Sequence, residues 1–252
     1  MTVRMVSAPS GSVLFGSVLA LLGGLVFAFS ARYVWRATAI RRARDVSSLA
    51  DTPPGTLVRV SGRAKQASDL LTAPFSGRDC LALRYAVEER RLSPGLLPWF
   101  VTLHEAAGSD AFRVRTPETV VDVVAPAHTV VLDRDVVATV PIDGDLPDRI
   151  ARFEETTAAL PEATFWRDPP SLLRPLVATL SLGTRRYTEQ RAVPEATLTV
   201  VGRVTDDDDG IDPLVVSDTT PTATVFRMAK TAVAGVSIGV IALGVGLAVL
   251  LL

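Results

Sequence analysis

Residues 8–31 carry no charged side chain. A helix rises 1.5 Å per residue, so such a stretch crosses a ~30 Å hydrocarbon core. Its densest parts are 13–15, 18–22 and 25–29. A cleaved signal peptide is disfavoured, because the apolar run is long and only Arg4 precedes it. A second charge-free run covers residues 231–252. The sequence therefore predicts two transmembrane α-helices, at 11–34 and 231–252. A short extracytoplasmic segment at 1–10 precedes the first. A juxtamembrane helix or linker at 35–50 follows it, and a linker at 223–230 leads into the second.

Flanking charge orients the pair. Arg32, Arg36, Arg41, Arg42 and Arg44 follow the first run, and Arg227 and Lys230 precede the second. Positive flanks face the cytoplasm, which predicts a two-span, multi-pass protein of the cell membrane with residues 51–222 cytoplasmic. The five arginines also suit contact with anionic lipid. Gly235 and Gly239 form a small-xxx-small pair, and Gly16, Ala20 and Gly24 form a ladder of the same spacing, which suits close helix packing.

Residues 47–222 hold 26 acidic against 18 basic side chains, a net charge of −8. That field repels nucleic acid, which is excluded as a partner. One cysteine, Cys80, forms no intrachain disulfide.

Within this middle region, short runs rich in Val, Leu, Thr and Tyr alternate with Gly, Pro, Ser and Asp turns. They predict strands at 56–61, 80–89, 99–105, 111–115, 120–124, 129–133, 198–204 and 214–216. Leu81, Leu83, Tyr85 and Val87 alternate with Ala82, Arg84, Ala86 and Glu88, which predicts one buried face. Residues 148–160 place Ile150, Phe153 and Thr157 at helical spacing. Residues 172–182, with Pro175 inside, read as a broken helix or a loop packed near the membrane. Segments 54–63 and 194–203 echo one another at an offset of 140, each a turn running into an apolar strand that ends in Gly-Arg (Gly62-Arg63, Gly202-Arg203). They predict equivalent strands in a small barrel. The expected fold class is thus β-rich, mainly an antiparallel sheet or small barrel with a helical insertion near 148–182, plus the two transmembrane helices.

Chemistry-bearing patterns are sparse. No Walker loop, dinucleotide fingerprint or nucleophile elbow is present. Cys80 is a nucleophile only if a base lies beside it, and His104 and His128 are the only imidazoles. Three such residues fall short of a zinc site. Asp206–Asp209 with Asp212 lacks the calcium-loop pattern. Catalytic, metal-binding and cofactor-binding residues are therefore expected to be absent. Arg185, Arg186, Tyr187 and Glu189 form a polar cluster that fits either a buried ion pair or a partner contact.

Several segments carry a resemblance in order along the chain. They are Val60-Ser61-Gly62-Arg63-Ala64, residues 73–80 (APFSGRDC), residues 83–89 (LRYAVEE), Phe112 and Val114 with Val121-Asp122-Val123, and residues 185–189 with 200–203. Together they resemble the GIDE family, whose membrane-adjacent domain occurs in the MULAN-type E3 ubiquitin ligases. The resemblance implies a β-rich module beside a membrane and a platform for protein contacts. It does not extend to the RING domain, whose eight Cys and His ligands this chain lacks. The expected function is a non-enzymatic, membrane-anchored interaction or scaffolding protein that binds an unknown membrane or cytoplasmic protein. The alternatives are a lipid- or small-ligand-binding module and a membrane enzyme of the ligase-related family.

Overall fold

A computed structural model describes residues 11–93, 96–124, 126, 127, 129–161, 163–206, 210–218 and 221–251, with the side chains of 32–41, 221–234 and 251 outside the description. The chain divides into two units, Met1–Ala43 with Thr220–Leu252, and Arg44–Thr219.

The first unit consists of two long helices, α1 (Gly11–Arg42) and α4 (Pro221–Leu251). They meet through glycine. A Cβ added at Gly23 would lie 2.5 Å from the Leu243 backbone nitrogen, one at Gly239 2.7 Å from that of Phe27, and one at Gly246 2.5 Å from that of Ala20. Backbones this close leave no room for a side chain. The packing face uses Gly16, Ala20 and Gly23. Gly24, expected in that ladder, points into open space.

The expectation of two membrane spans is corrected here. Among the described residues, one helix segment is long and apolar enough to cross a membrane, Gly11–Ala31. Among the described residues of α4, the apolar stretch is Gly235–Leu250. Those sixteen described residues extend about 24 Å, against a ~30 Å hydrocarbon core. The two-span, multi-pass cell-membrane topology is corrected with it, because one described helix segment qualifies as a span where two were expected.

The second unit is built from strands. A five-stranded barrel is formed by β2 (Leu57–Gln66), β7 (Phe112–Arg115), β8 (Val120–Val123), β12 (Thr197–Val204) and β13 (Gly210–Ser217). Strand β2 pairs with β7, β7 with β8, β12 with β13, and β12 with β2, all antiparallel, and the circuit closes through a parallel pairing of β8 with β13. Two short strands extend it, β1 (Arg44–Asp45) parallel to β2 and β9 (Val130–Val131) parallel to β13. The barrel is thus mixed where a mainly antiparallel sheet was expected. Its connectivity is that of five-stranded Greek-key barrels of the oligonucleotide- and oligosaccharide-binding class. Val58, Val60, Phe112, Val114, Leu198, Val200 and Ile211 fill its interior.

The two echoing segments are direct neighbours in this barrel. Val60 pairs with Val200, Gly62 with Leu198 and Val58 with Gly202, so the 140-residue offset maps the pair onto itself about a local two-fold axis. Each glycine admits a neighbouring strand's backbone. A Cβ at Gly62 would lie 2.8 Å from the Arg115 carbonyl carbon, and one at Gly202 2.9 Å from that of Asp212. Strand glycines at such approaches allow a small sheet to bend closed.

The remaining strands come from two insertions in the barrel. One supplies β3 (Leu71–Thr72), β4 (Asp79–Cys80), β5 (Ala82–Leu92) and β6 (Pro98–Ser109). The other supplies β10 (Arg134–Val140), α2 (Asp148–Thr156), a 3₁₀ turn (Ser171–Leu173), α3 (Arg174–Thr179) and β11 (Arg185–Ala192). Together they form one antiparallel sheet in the order β10-β11-β5-β6, beside a small β3-β4 ribbon. Helix α2 packs Ile150 and Phe153 against it, with Val87, Tyr187 and Phe75. It stops at Thr156, four residues before the expected Leu160. Thr156 donates its hydroxyl back to the Arg152 carbonyl at 2.9 Å, and Leu160 folds under in a turn.

Candidate functional site

The two faces of the four-stranded sheet carry different chemistry. On the inner face, Phe75 stacks edge-on against Tyr85, Phe153 and Tyr187, with ring centroids 5.6, 5.0 and 5.4 Å away. Such T-shaped contacts add to the burial of the rings. The turn that presents Phe75 is fastened by a fully buried carboxylate, Glu189 on β11. Glu189 accepts hydrogen bonds from the Phe75 N–H at 2.7 Å, the Ser76 N–H at 3.0 Å and the Ser76 hydroxyl at 2.6 Å, and faces Arg191 at 3.2 Å.

A second buried ionic group lies further along β11. The Arg185 guanidinium donates to Glu154 on α2 at 2.6 Å and to the Pro161 carbonyl at 2.7 Å, and lies 3.9 Å from buried Glu89. Glu89 also accepts from Thr164 and Arg91, each at 2.8 Å. The Tyr187 hydroxyl donates to Glu154. Burial and that carboxylate push the Tyr187 phenol well above its ordinary range. Arg185, Tyr187 and Glu189 are thus internal fasteners, which selects the buried-ion-pair reading of this cluster. Arg186 points the other way, its guanidinium 3.8 Å over the Phe100 ring and 2.8 Å from Glu88.

Cys80 is fully buried with Ala73 and Leu83, beside Leu71 and Tyr85. Strict alternation placed it opposite Leu83 and Tyr85. The strand breaks at Leu81, between β4 and β5, and the break returns Cys80 to their side. Its thiol donates to the Leu71 carbonyl at 3.4 Å. Burial, the Glu189 charge and Asp79 push it up to about 11, so almost no thiolate exists at neutral pH. His104 lies among rings, 5.8 Å from Tyr85 and 6.1 Å from Phe153. His128 and Asp207–Asp209 lie outside the described residues. Among the described residues, no three His, Cys, Asp or Glu side chains are arranged to hold a metal ion.

The outer face of the sheet is polar. A shallow cleft of about 150 Å³ opens there over Arg84, Glu88, Thr102, Glu105, Arg134 and Thr188. Arg84 pairs with Glu105 at 2.8 Å, and Glu88 pairs with both Arg134 and Arg186. Strands β5 and β11 are therefore covered on one side by α2 and lined on the other by these charges. The single buried face expected for β5 is in fact two, since Ala82, Ala86, Val87, Glu88 and Glu89 are all buried. Sequence reading missed this cleft because its residues come from four strands spread over a hundred positions. Of the arginines expected to meet anionic lipid, Arg42 and Arg44 are exposed, and the side chains of Arg32, Arg36 and Arg41 lie outside the description.

No protein-family model matches the chain, and neither a curated protein nor a solved structure does. The GIDE domain and its ligase kinship consequently find no support beyond the segments that suggested them.

Proposed function

We propose that the Arg44–Thr219 unit is a non-enzymatic protein-binding module, tethered to a membrane through α1, that engages its partner with the outer face of the β10-β11-β5-β6 sheet. The observation that carries this reading is the cleft over Arg84, Glu88, Thr102, Glu105, Arg134 and Thr188. Its volume of about 150 Å³ falls below the ~300–1,000 Å³ of sites that enclose a small molecule. Its floor alternates positive and negative side chains, which suits a protein surface with complementary charges. Arg186 stacked on Phe100 beside it offers the arginine-aromatic pairing typical of contact hot spots. Barrels of this connectivity often bind nucleic acid or sugars, but a net charge of −8 over residues 47–222 opposes the former. An enzymatic reading loses the one nucleophile the sequence suggested, because Cys80 is sealed and protonated.

The test is site-specific photocrosslinking in native membranes. A photoreactive side chain at Thr102 is expected to give one discrete protein adduct, lost when Arg134 is changed to Glu, while the same group at Val120 on the barrel gives none. Absence of an adduct at residue 102, or equal adducts at 102 and 120, refutes the proposal.

A further inference from the structure

One end of the four-stranded sheet is apolar and exposed. The β5–β6 hairpin tip shows Leu96 at 76%, Leu97 at 71% and Trp99 at 54% exposure, and Leu172, before α3, is 91% exposed. Leu173 and Leu176 add to the same segment. The two segments belong to one end of the sheet. Arg90 of β5 accepts from the Gly183 N–H at 2.8 Å and donates to the Thr184 carbonyl at 2.9 Å, so the turn leaving α3 is laced to the strand that enters the hairpin. Soluble surfaces rarely gather such side chains without a partner.

The charge around this end is the reverse of the unit as a whole. Residues 90–103 and 169–186 contain no Asp or Glu, yet they include Arg90, Arg91 and Arg174. These segments interrupt a region that carries 26 acids against 18 bases. Just outside them, Glu89 is fully buried and paired with Arg91, while Asp168 is exposed. Leucine and tryptophan beside arginine, with carboxylates displaced, is the composition that settles into the headgroup layer of an anionic bilayer. The same chain carries a helix segment, Gly11–Ala31, long and apolar enough to cross such a bilayer.

We propose that this end of the sheet, Leu96, Leu97 and Trp99 with Leu172, Leu173 and Leu176, inserts into the interfacial layer of an anionic phospholipid membrane. The function is distinct from the cleft on the sheet's outer face. It makes the unit a peripheral membrane-binding element in its own right and limits the orientations it can take at the bilayer.

The full-length protein, reconstituted in vesicles of phosphatidylcholine with and without phosphatidylglycerol, provides the test. An environment-sensitive fluorophore is placed on Leu97→Cys or Leu172→Cys, with Val120→Cys on the barrel as the control. Cys80 is buried and its thiol protonated, so labelling is selective. Emission at 97 and 172 is expected to rise several-fold in anionic vesicles and to be quenched by nitroxide-bearing lipid, while residue 120 stays unchanged. Arg174→Glu is expected to cut the anionic-vesicle rise at least two-fold. No lipid quenching at 97 and 172 overturns the proposal. So does a rise that follows protein concentration and ignores the lipid quencher, which would assign the end to a second copy or another protein. Equal quenching at residue 120 also overturns it.

Discussion

Removing the Glu189 carboxylate should unfasten the inner face of the four-stranded sheet. The side chain is fully buried and accepts three hydrogen bonds from Phe75 and Ser76, all at 3.0 Å or less. It also faces Arg191, a largely buried side chain that it shares with Asp135. Hydrogen bonds to a charged group contribute ~1.5–3 kcal/mol each but do not add. Arg191 keeps its second partner, Asp135 at 2.7 Å, so the cost falls mainly on the buried Phe75 and Ser76 donors left without an acceptor, ~1–3 kcal/mol each. For Glu189→Ala the expected loss is therefore ~3–5 kcal/mol, a large part of the ~5–15 kcal/mol that holds a domain folded. Cys80, the only cysteine, reports it directly. The thiol is sealed against Leu71 and Ala73, so at neutral pH it reacts with a disulfide reagent only when the structure opens. At 1.36 kcal/mol per tenfold, the labelling rate should rise roughly 150- to 5,000-fold. Glu189→Gln keeps an acceptor for the two N–H groups and loses only the charge, so its rise should be at least tenfold smaller. A rise below ~10-fold for Glu189→Ala would mean that the turn is held by the aromatic stack alone, and would refute this account of the buried carboxylate.

Alkaline pH should weaken the same unit. The folded-state values of Cys80 and Tyr187 are both raised, Cys80 to about 11, so the folded chain keeps protons that the unfolded chain releases. Stability is then full below the unfolded cysteine value of ~8.5 and falls as pH rises toward 11; thermal midpoints should show this, and Cys80→Ala should flatten the first part of the fall. Gly62→Val and Gly202→Val should each cost at least ~2 kcal/mol, since the new Cβ meets a neighbouring strand's backbone; equal losses by denaturant titration would bear on the two-fold relation, and a loss under ~0.5 kcal/mol in either would contradict the close approach. In the helix pair, a Cβ at Gly235 would lie 3.3 Å from the Ser30 Cβ, near the ~3.8 Å of a disulfide. Ser30→Cys with Gly235→Cys should crosslink on mild oxidation, and adding Gly23→Leu should abolish the crosslink.

What the sequence made legible follows from where each side chain's partner lies. Strands β2 and β12 send Val58-x-Val60 and Leu198-x-Val200 into a shared barrel interior, and that local alternation suffices to find them and even their equivalence. Strand β11 is different. Arg185-Arg186-Tyr187-Thr188-Glu189 reads equally as a buried ion pair or a partner contact, and Arg185, Tyr187, Thr188 and Glu189 are in fact buried. Their partners lie far away: Glu154 is 31 positions from Arg185, Ser76 is 113 from Glu189 and Glu88 is 98 from Arg186. No window of sequence contains both halves of such a pair. Strand β10 was missed for the same reason, opening on Arg134 and Asp135, which pair with Glu88 and Arg191. The helix pair failed more narrowly. Small residues were recognised, but Gly23 rather than Gly24 faces α4, a choice that depends on the angle at which the helices meet.

The four-stranded sheet also explains why a barrel would carry two long insertions. Neither insertion makes the sheet alone: β5 and β6 come from between the first and second barrel strands, β10 and β11 from between the third and fourth. An isolated two-stranded hairpin is marginal in water, and the β5–β11 ladder joins the two pairs into one sheet. The joint is made at its centre by Tyr187 against Val87, and at its flanks by the buried charges Glu89, Arg185 and Glu189. Placing charges there makes the sheet depend on α2 and the Phe75 turn, since Glu154 and the Phe75 and Ser76 amides complete their bonding. The sheet, its covering helix and the turn should therefore form together or not at all. The polar cleft on one face and the apolar end with Leu97 and Leu172 are both products of that single assembly step. A substitution inside the joint, such as Glu189→Ala, should consequently weaken photocrosslinking at Thr102 and lipid quenching at residue 97 in parallel. Arg134→Glu, outside the joint, should affect only the first.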